Sequence, residues 1–326
     1  GALPKQMGNP DLKWQRTLNN NFGLTAAFLD NRFNLSFDFY SNTTYDMLMS
    51  VNLPPSVGTS SMNVNFGQLN NKGLDLSLSA QIIRNKDWFW SLTLTGGHVM
   101  DQIRKISQGL KNDIDNPYDS SKPKILFVEG GSQYDIYAMR SAGIDPATGK
   151  EIFIKKNGEY TFNYDEKERV AVGNTNPILQ GSLMNTLRYK GFSISVATSY
   201  TFGSDYFNST LKNKVENIDL NYNVDRRVFT DRWKEPGDHT RFLGIGTSSS
   251  SSQYSERFVE KRNELYISSI QVMYDFAPKA ITRLGLRKLA IGFGLSDIAH
   301  ISTVKFERGT DYPYCRGINL IFRPTF

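Results

Sequence analysis

Apolar and polar residues alternate along this chain with a period of two. Phe22, Leu24, Ala26 and Phe28 stand against Gly23, Thr25 and Ala27. Phe33, Leu35, Phe37 and Phe39 stand against Asn34, Ser36, Asp38 and Tyr40. Successive side chains of a strand point to opposite faces, so each run predicts a strand with one apolar face. The pattern recurs over 74–82, 88–95, 192–202, 270–276 and 289–295. Asp30-Asn31, the polar stretch 84–87 and Lys190-Gly191 supply tight turns between runs. In the final thirteen residues Tyr314, Ile318, Leu320 and Phe322 share a face. Cys315, Gly317, Asn319, Arg323 and Thr325 share the other, with Ile321 the apolar exception, and Phe326 ends the run on the apolar side.

The faces opposite the apolar rows carry Ser, Thr, Asn, Gln and Gly with few charges. A soluble sandwich would show Lys and Glu there. A weakly polar face suits the lumen of a transmembrane barrel whose other face meets lipid, with a terminal aromatic at the water boundary. Connections alternate between short (30–31, 84–87, 190–191) and long (49–71, 107–131, 204–263), as periplasmic turns and extracellular loops do in outer-membrane barrels. The polar run 247–253 is expected to be a mobile loop tip. About eleven strands are predicted, with 132–144 and 148–156 the weakest of them. An odd count that starts and ends running toward the short turns cannot close an even-stranded barrel, and open edges in lipid cost several kcal/mol per unpaired group. The expectation is an all-β, antiparallel transmembrane barrel of which residues 1–326 form roughly half the wall, closed by upstream sequence or another polypeptide.

Composition narrows the class further. Mean hydropathy is −0.43, and no apolar run approaches the roughly 20 residues of a membrane-spanning helix, which excludes a helical bundle and leaves a barrel open. The 16 Tyr and 21 Phe suit a β protein with aromatic girdles. The net charge of +6 is scattered without basic runs, so no nucleic-acid partner is expected. Cys315 is the single cysteine and says nothing about compartment. The start at Gly1 is neither an initiator Met nor a signal peptide, so processing or a longer parent chain is expected.

Several segments resemble the SusC/RagA family of TonB-dependent outer-membrane transporters. They are GNPDLKW (8–14), DFYSNTTYDML (38–48), NFGQLNNKGLD (65–75) with Asn71 and Gly73 in the fixed places, AGIDPATG (142–149) and DRWKEPGD (231–238). Residues 255–276 and the terminal Phe326 also fit. The chain departs from the family at Glu264-Leu265-Tyr266, at Asp297 and over a shortened 306–313. The resemblance implies a 22-stranded barrel with a plug domain and first barrel half upstream of this chain. It implies uptake of glycan fragments or oligopeptides with a SusD-like surface lipoprotein, coupled to the TonB complex through the absent N-terminal part. It places long loops outside the cell, and short turns and the C-terminus in the periplasm. Other partners are the remainder of the barrel and outer-membrane lipid. The alternatives are a passive porin or structural barrel and an outer-membrane hydrolase.

No catalytic or cofactor constellation stands out. HExxH, GxSxG, paired CxxC and P-loop motifs are missing. His98 continues an apolar strand face and reads as packed. Asp113, Asp115 and Asp119 resemble a calcium loop, but Tyr118 and Lys124 occupy the places of the required Gly and Glu. His239 with Asp231 and Asp238 is the one cluster a hydrolase could use. Trp233, Pro236, Gly237 and Asp238 read instead as a turn that fixes a long loop. Tyr118, Tyr134, Tyr206 and Tyr254 could stack on sugar rings or pack the loops. No enzyme activity, metal or cofactor is expected. The residues singled out are Asn71, Gly73, Trp233, Pro236, Gly237, Asp238 and Phe326.

Overall fold

The computed structural model describes residues 8–52, 56, 58–59, 61–65, 67–106, 127–218, 221, 223–246, 254–281, 285–305 and 316–326. The acidic stretch around Asp113, Asp115 and Asp119, Tyr118, the run 247–253 and the segment 306–315 lie outside them. In chain order the strands are β1 (Arg16–Phe28), β2 (Phe33–Tyr45), β3 (Leu48–Asn52), β4 (Ser61–Asn65), β5 (Gly67–Arg84) and β6 (Trp88–Ile106). There follow β7 (Asp135–Ala138), β8 (Arg140–Ile144), β9 (Glu151–Ile154), β10 (Tyr160–Thr161) and β11 (Val170–Asn174). The last are β12 (Leu179–Tyr189), β13 (Phe192–Phe207), β14 (Val259–Asp275), β15 (Lys288–Ser302) and β16 (Gly317–Thr325). Three short helices, α1 (Ser209–Val215), α2 (Arg227–Thr230) and α3 (Pro278–Ile281), lie in connections.

Nine strands form one antiparallel meander in the order β1-β2-β5-β6-β12-β13-β14-β15-β16, and the sheet does not close on itself. The sequence suggests about eleven strands. The difference lies at 132–144 and 148–156, where β7, β8 and β9 have only 4 or 5 residues. A tilted strand needs about nine to eleven to cross a bilayer, so these build small sheets in the loops. Wall strands also run past their alternating segments. β5 starts at Gly67 and β14 at Val259, inside stretches that read as loop. Beyond the lipid a strand is wet on both faces, so its ladder persists without an apolar period.

The register turns alternation into two continuous surfaces. One row across all nine strands is Phe28, Phe33, Ala80, Leu92, Asn185, Val196, Ile270, Leu295 and Ile318. Its one polar member, Asn185, accepts a hydrogen bond from the Trp90 indole at 3.1 Å through its side-chain carbonyl. A polar group in an apolar layer is tolerated when it is paired in this way. The opposite face carries Thr25, Ser36, Ser77, Thr95, Ser182 and Ser199, then Tyr266 and His300. Among the described residues no helix is long and apolar enough to cross a membrane. Strands make the crossing in this architecture.

Two tyrosines lie over glycines and lock neighbouring strands. Tyr40 opposes Gly73, and a Cβ added to Gly73 would meet the Tyr40 ring at 2.4 Å. Tyr200 opposes Gly181 and donates from its hydroxyl to the Thr95 carbonyl at 2.7 Å. A large ring covering a bare backbone recovers the packing that glycine forfeits in a strand. Gly73→Val is expected to cost about 1–3 kcal/mol by overpacking. A Tyr40→Ala background is expected to recover only part of that cost, because the His98 carbonyl would still stand 2.8 Å from the added Cβ; thermal unfolding of the single and double variants checks this.

Candidate functional site: the loop body above the wall

The long connections after β6 and β13 fold into one body. Backbone bonds stitch them together: Met139 N donates to the Tyr254 carbonyl at 3.0 Å, and Glu256 N to the Met139 carbonyl at 3.1 Å. Two segments that are 82 or more residues apart in sequence, AGIDPATG and DRWKEPGD, meet here. Asp145 forms its own turn, accepting from Ala147 N at 3.1 Å and from the Thr148 hydroxyl at 2.5 Å. These bonds to the anion hold its carboxyl below the usual range, the Thr148 hydroxyl contributing most. The turn ends at Gly149, whose φ of +68 suits glycine. The Trp233 ring lies against Gly149, where a Cβ would come within 2.4 Å of it. The Trp233 indole donates to the Pro146 carbonyl at 2.9 Å, as does Gly237 N. Asp238 accepts from Lys234 N and Glu235 N at 3.0 and 3.1 Å, closing the Pro236-Gly237 turn.

Below this contact sits a buried ionic hub. Arg257 reaches Glu151 at 2.8 Å and Glu216 at 2.9 Å, and these side chains are 7%, 3% and 1% exposed. Its guanidinium also donates to the Arg241 carbonyl at 2.5 Å and lies 4.9 Å from the Phe258 ring centre. Ser255 donates its hydroxyl to Glu151, and Leu243 N donates to Glu216. Burial works against the Arg257 cation, but the two carboxylates outweigh it and hold the guanidinium above its ordinary range. Buried Arg232 needs no carboxylate contact, because its guanidinium donates to the Leu243, Val215 and Gly244 carbonyls. Asn208 caps α1 by accepting from Leu211 N, and its amide donates to Glu260 on β14 at 3.0 Å. The helix is thereby tied to the wall.

A cavity of about 490 Å³ opens between this body and the wall, lined by Arg227, Asp231, His239, Arg241, Phe242 and Lys305 among others. Asp225 grips Arg227 through paired bonds of 2.9 and 2.7 Å. Hydrogen bonding from Arg227 holds the Asp225 carboxyl far below the usual carboxylate range. A depressed carboxyl contributes stability above its unfolded value of about 4 and loses it as pH falls through the lower folded value. Amide exchange in α2 is therefore expected to stay slow at pH 4 and to quicken only in stronger acid, whereas Asp225→Asn quickens it at neutral pH. His239 makes no hydrogen bond with Asp231 or Asp238 among the described residues, and Asp238 is engaged in its turn.

The other residues singled out from sequence lie elsewhere. Asn71 and Gly73 are in β5, and Phe326 is 80% exposed beyond β16. Tyr254 is buried against Phe207, with the Lys212 ammonium 4.6 Å over its ring, whereas Tyr134 is exposed. On the sheet's polar face a second cleft, of about 300 Å³, is lined by Asp38, Asp75 and Gln180. Arg257, Glu151 and Glu216 carry no signal in the sequence, and Arg232 appears there only as part of DRWKEPGD. Separations of 41 and 106 residues within the hub leave no local signal.

Comparison with known proteins decides the family. Residues 2–218 match the family described as TonB dependent receptor-like, beta-barrel. The chain belongs to that family. Its relatives include TonB-dependent receptor P39 of Formosa agariphila, 26% identical over 91% of this chain and 33% of the relative. TonB-dependent receptor SusC of Bacteroides thetaiotaomicron is 26% identical over 82% of this chain and 27% of its own length. Among solved structures, the RagAB peptide importer in its open-open state aligns at TM-score 0.75 and 25% identity, covering 92% of this chain and 32% of that one. The RagAB peptide transporter aligns at TM-score 0.78 and 24% identity, covering 91% and 33%. This member of the TonB-dependent receptor family thus spans about a third of the length of these relatives. Its fold is that of an outer-membrane barrel wall.

Proposed function

We propose that this chain is the C-terminal half of the barrel of a SusC/RagA-type importer, which takes glycan fragments or oligopeptides across the outer membrane. The observation that carries the reading is the nine-stranded wall, apolar on one face and uncharged-polar on most of the other, with both edges open. An unpaired edge in lipid costs several kcal/mol per group, so β1 and β16 pair with further strands, and Phe326 lies at that seam. The plug and first half of the wall lie upstream in this reading. The long loops face outside, with the short turns and C-terminus in the periplasm. A SusD-like lipoprotein caps the loop body, and the TonB complex supplies energy through the plug. Asn71 and Gly73 shape the wall, while Trp233, Pro236, Gly237 and Asp238 fix the loop presented to cargo or lipoprotein. The RagAB relative is a peptide importer, which supports oligopeptides as one cargo class.

The test uses cells expressing the full-length protein, offered labelled oligosaccharides and oligopeptides with and without a functional TonB complex. Uptake of one class that collapses without TonB is expected. Uptake of everything small at the same rate in both strains would instead show a passive porin.

A further inference from the structure

Charge is unevenly placed between the two ends of the wall. Among the described residues of the short-turn end, Arg32, Arg84, Lys86, Arg188, Lys190, Lys279, Arg287 and Lys288 stand against Asp30, Asp87 and Asp275, eight against three. That excess of five compares with six for the entire chain. The turns are also joined sideways. Lys190 N donates to the Asp87 carbonyl at 2.9 Å, and Asp275 N to the Gly191 carbonyl at 2.8 Å.

Directly beside this rim the apolar face ends in an aromatic row. Trp88, Tyr189, Phe192 and Tyr274 are successive register partners, continued by Ile291 and Phe322. The Trp88 and Tyr189 rings lie 4.2 Å apart, and those of Phe192 and Tyr274 4.6 Å. Aromatic rings with polar tips settle at the lipid–water boundary, which puts the turns at headgroup level. The Lys190 ammonium sits 5.2 Å from the centre of the Tyr189 ring. Lys86 is exposed in the neighbouring turn, and neither lysine has an ion-pair partner among the described residues. Asp87 follows Lys86 in sequence, and it too makes no ion pair among them.

From this we propose that the short-turn rim binds the phosphodiester headgroups of anionic phospholipid, with Lys190 over Tyr189 and the exposed Lys86 of the neighbouring turn as its centre. Two lysines in adjoining turns beside an amphipathic aromatic row match a phosphate at the boundary, where acyl chains continue along the apolar row. A zwitterionic headgroup carries its own cation and gains less. The proposal rests on the membrane-spanning reading of the wall and adds a lipid preference to it.

The experiment uses the full-length protein in nanodiscs containing equal phosphatidylglycerol and phosphatidylcholine, with lipid retention read by native mass spectrometry. The wild type is expected to retain phosphatidylglycerol preferentially. Lys86→Ser with Lys190→Ser should lower that preference by about fivefold per lysine removed. Raised salt should lower it in the wild type. Lys150→Ser with Lys234→Ser, at exposed loop positions, should leave it intact. Equal retention of the two lipids by the wild type, or an equal loss in the loop variant, overturns the proposal. So does displacement of the lipid preference by an acidic peptide at low concentration, since the rim would then be a protein-docking surface. Should the double variant fail to insert, the wild-type salt series still decides. A wild type that never enters nanodiscs would overturn the membrane reading itself, a result distinct from insertion without lipid preference.

Discussion

Arg257→Met is expected to loosen the loop body while leaving the wall intact. The substitution keeps an apolar stem of similar length but strands Glu151 and Glu216, which are 3% and 1% exposed, without their shared cation. Breaking a buried pair from one side costs about 3–5 kcal/mol, because the remaining charge is left uncompensated. Here two carboxylates remain, though Ser255 and Leu243 N still donate to them. Hydrogen exchange should show the loss in β9, α1 and the 232–243 segment, while β12 and β13 keep their protection. Adding Glu151→Gln and Glu216→Gln should recover part of the stability, since neutral amides cost less to bury. Uniform loss of protection through wall and loops would contradict an independent loop body.

Val196→Arg is expected to destabilise the barrel by about 2–4 kcal/mol, whereas Ser195→Arg next to it costs far less. Val196 lies in the nine-strand apolar row between Asn185 and Ile270. Ser195 lies on the polar face between Thr186 and Gln271. An arginine in the first position enters hydrocarbon, and in the second it enters water. Unfolding in lipid vesicles of the full-length protein and both variants reads the difference directly. Equal penalties would mean that the assigned faces are wrong.

The wall was legible in the sequence because a strand in lipid obeys a local rule. Each residue's face follows from its parity, so Phe33 to Phe39 and Phe192 to Phe202 announce themselves without reference to any partner. Tight turns at Lys190-Gly191 and 84–87 then order neighbouring strands. The two segments at 132–144 and 148–156 carry apolar residues too, but they pack into loop sheets. Local pattern alone could not separate a short wall strand from a short buried one. The loop motifs were visible singly. That Trp233 closes on Gly149 was not, because nothing in either segment specifies the other.

An antiparallel β wall, its two chemically distinct faces, the end that carries short turns and an odd strand count all follow from the order of residues along the chain. Those properties arise from nearest neighbours along the chain and from the period of a strand. The nine-strand register, the joining of two distant loops into one body, the Arg257 hub inside it and the cationic rim beside the aromatic row become fixed only in the folded chain. Each of those depends on distances between residues tens to more than a hundred positions apart, which folding sets and local patterning does not encode.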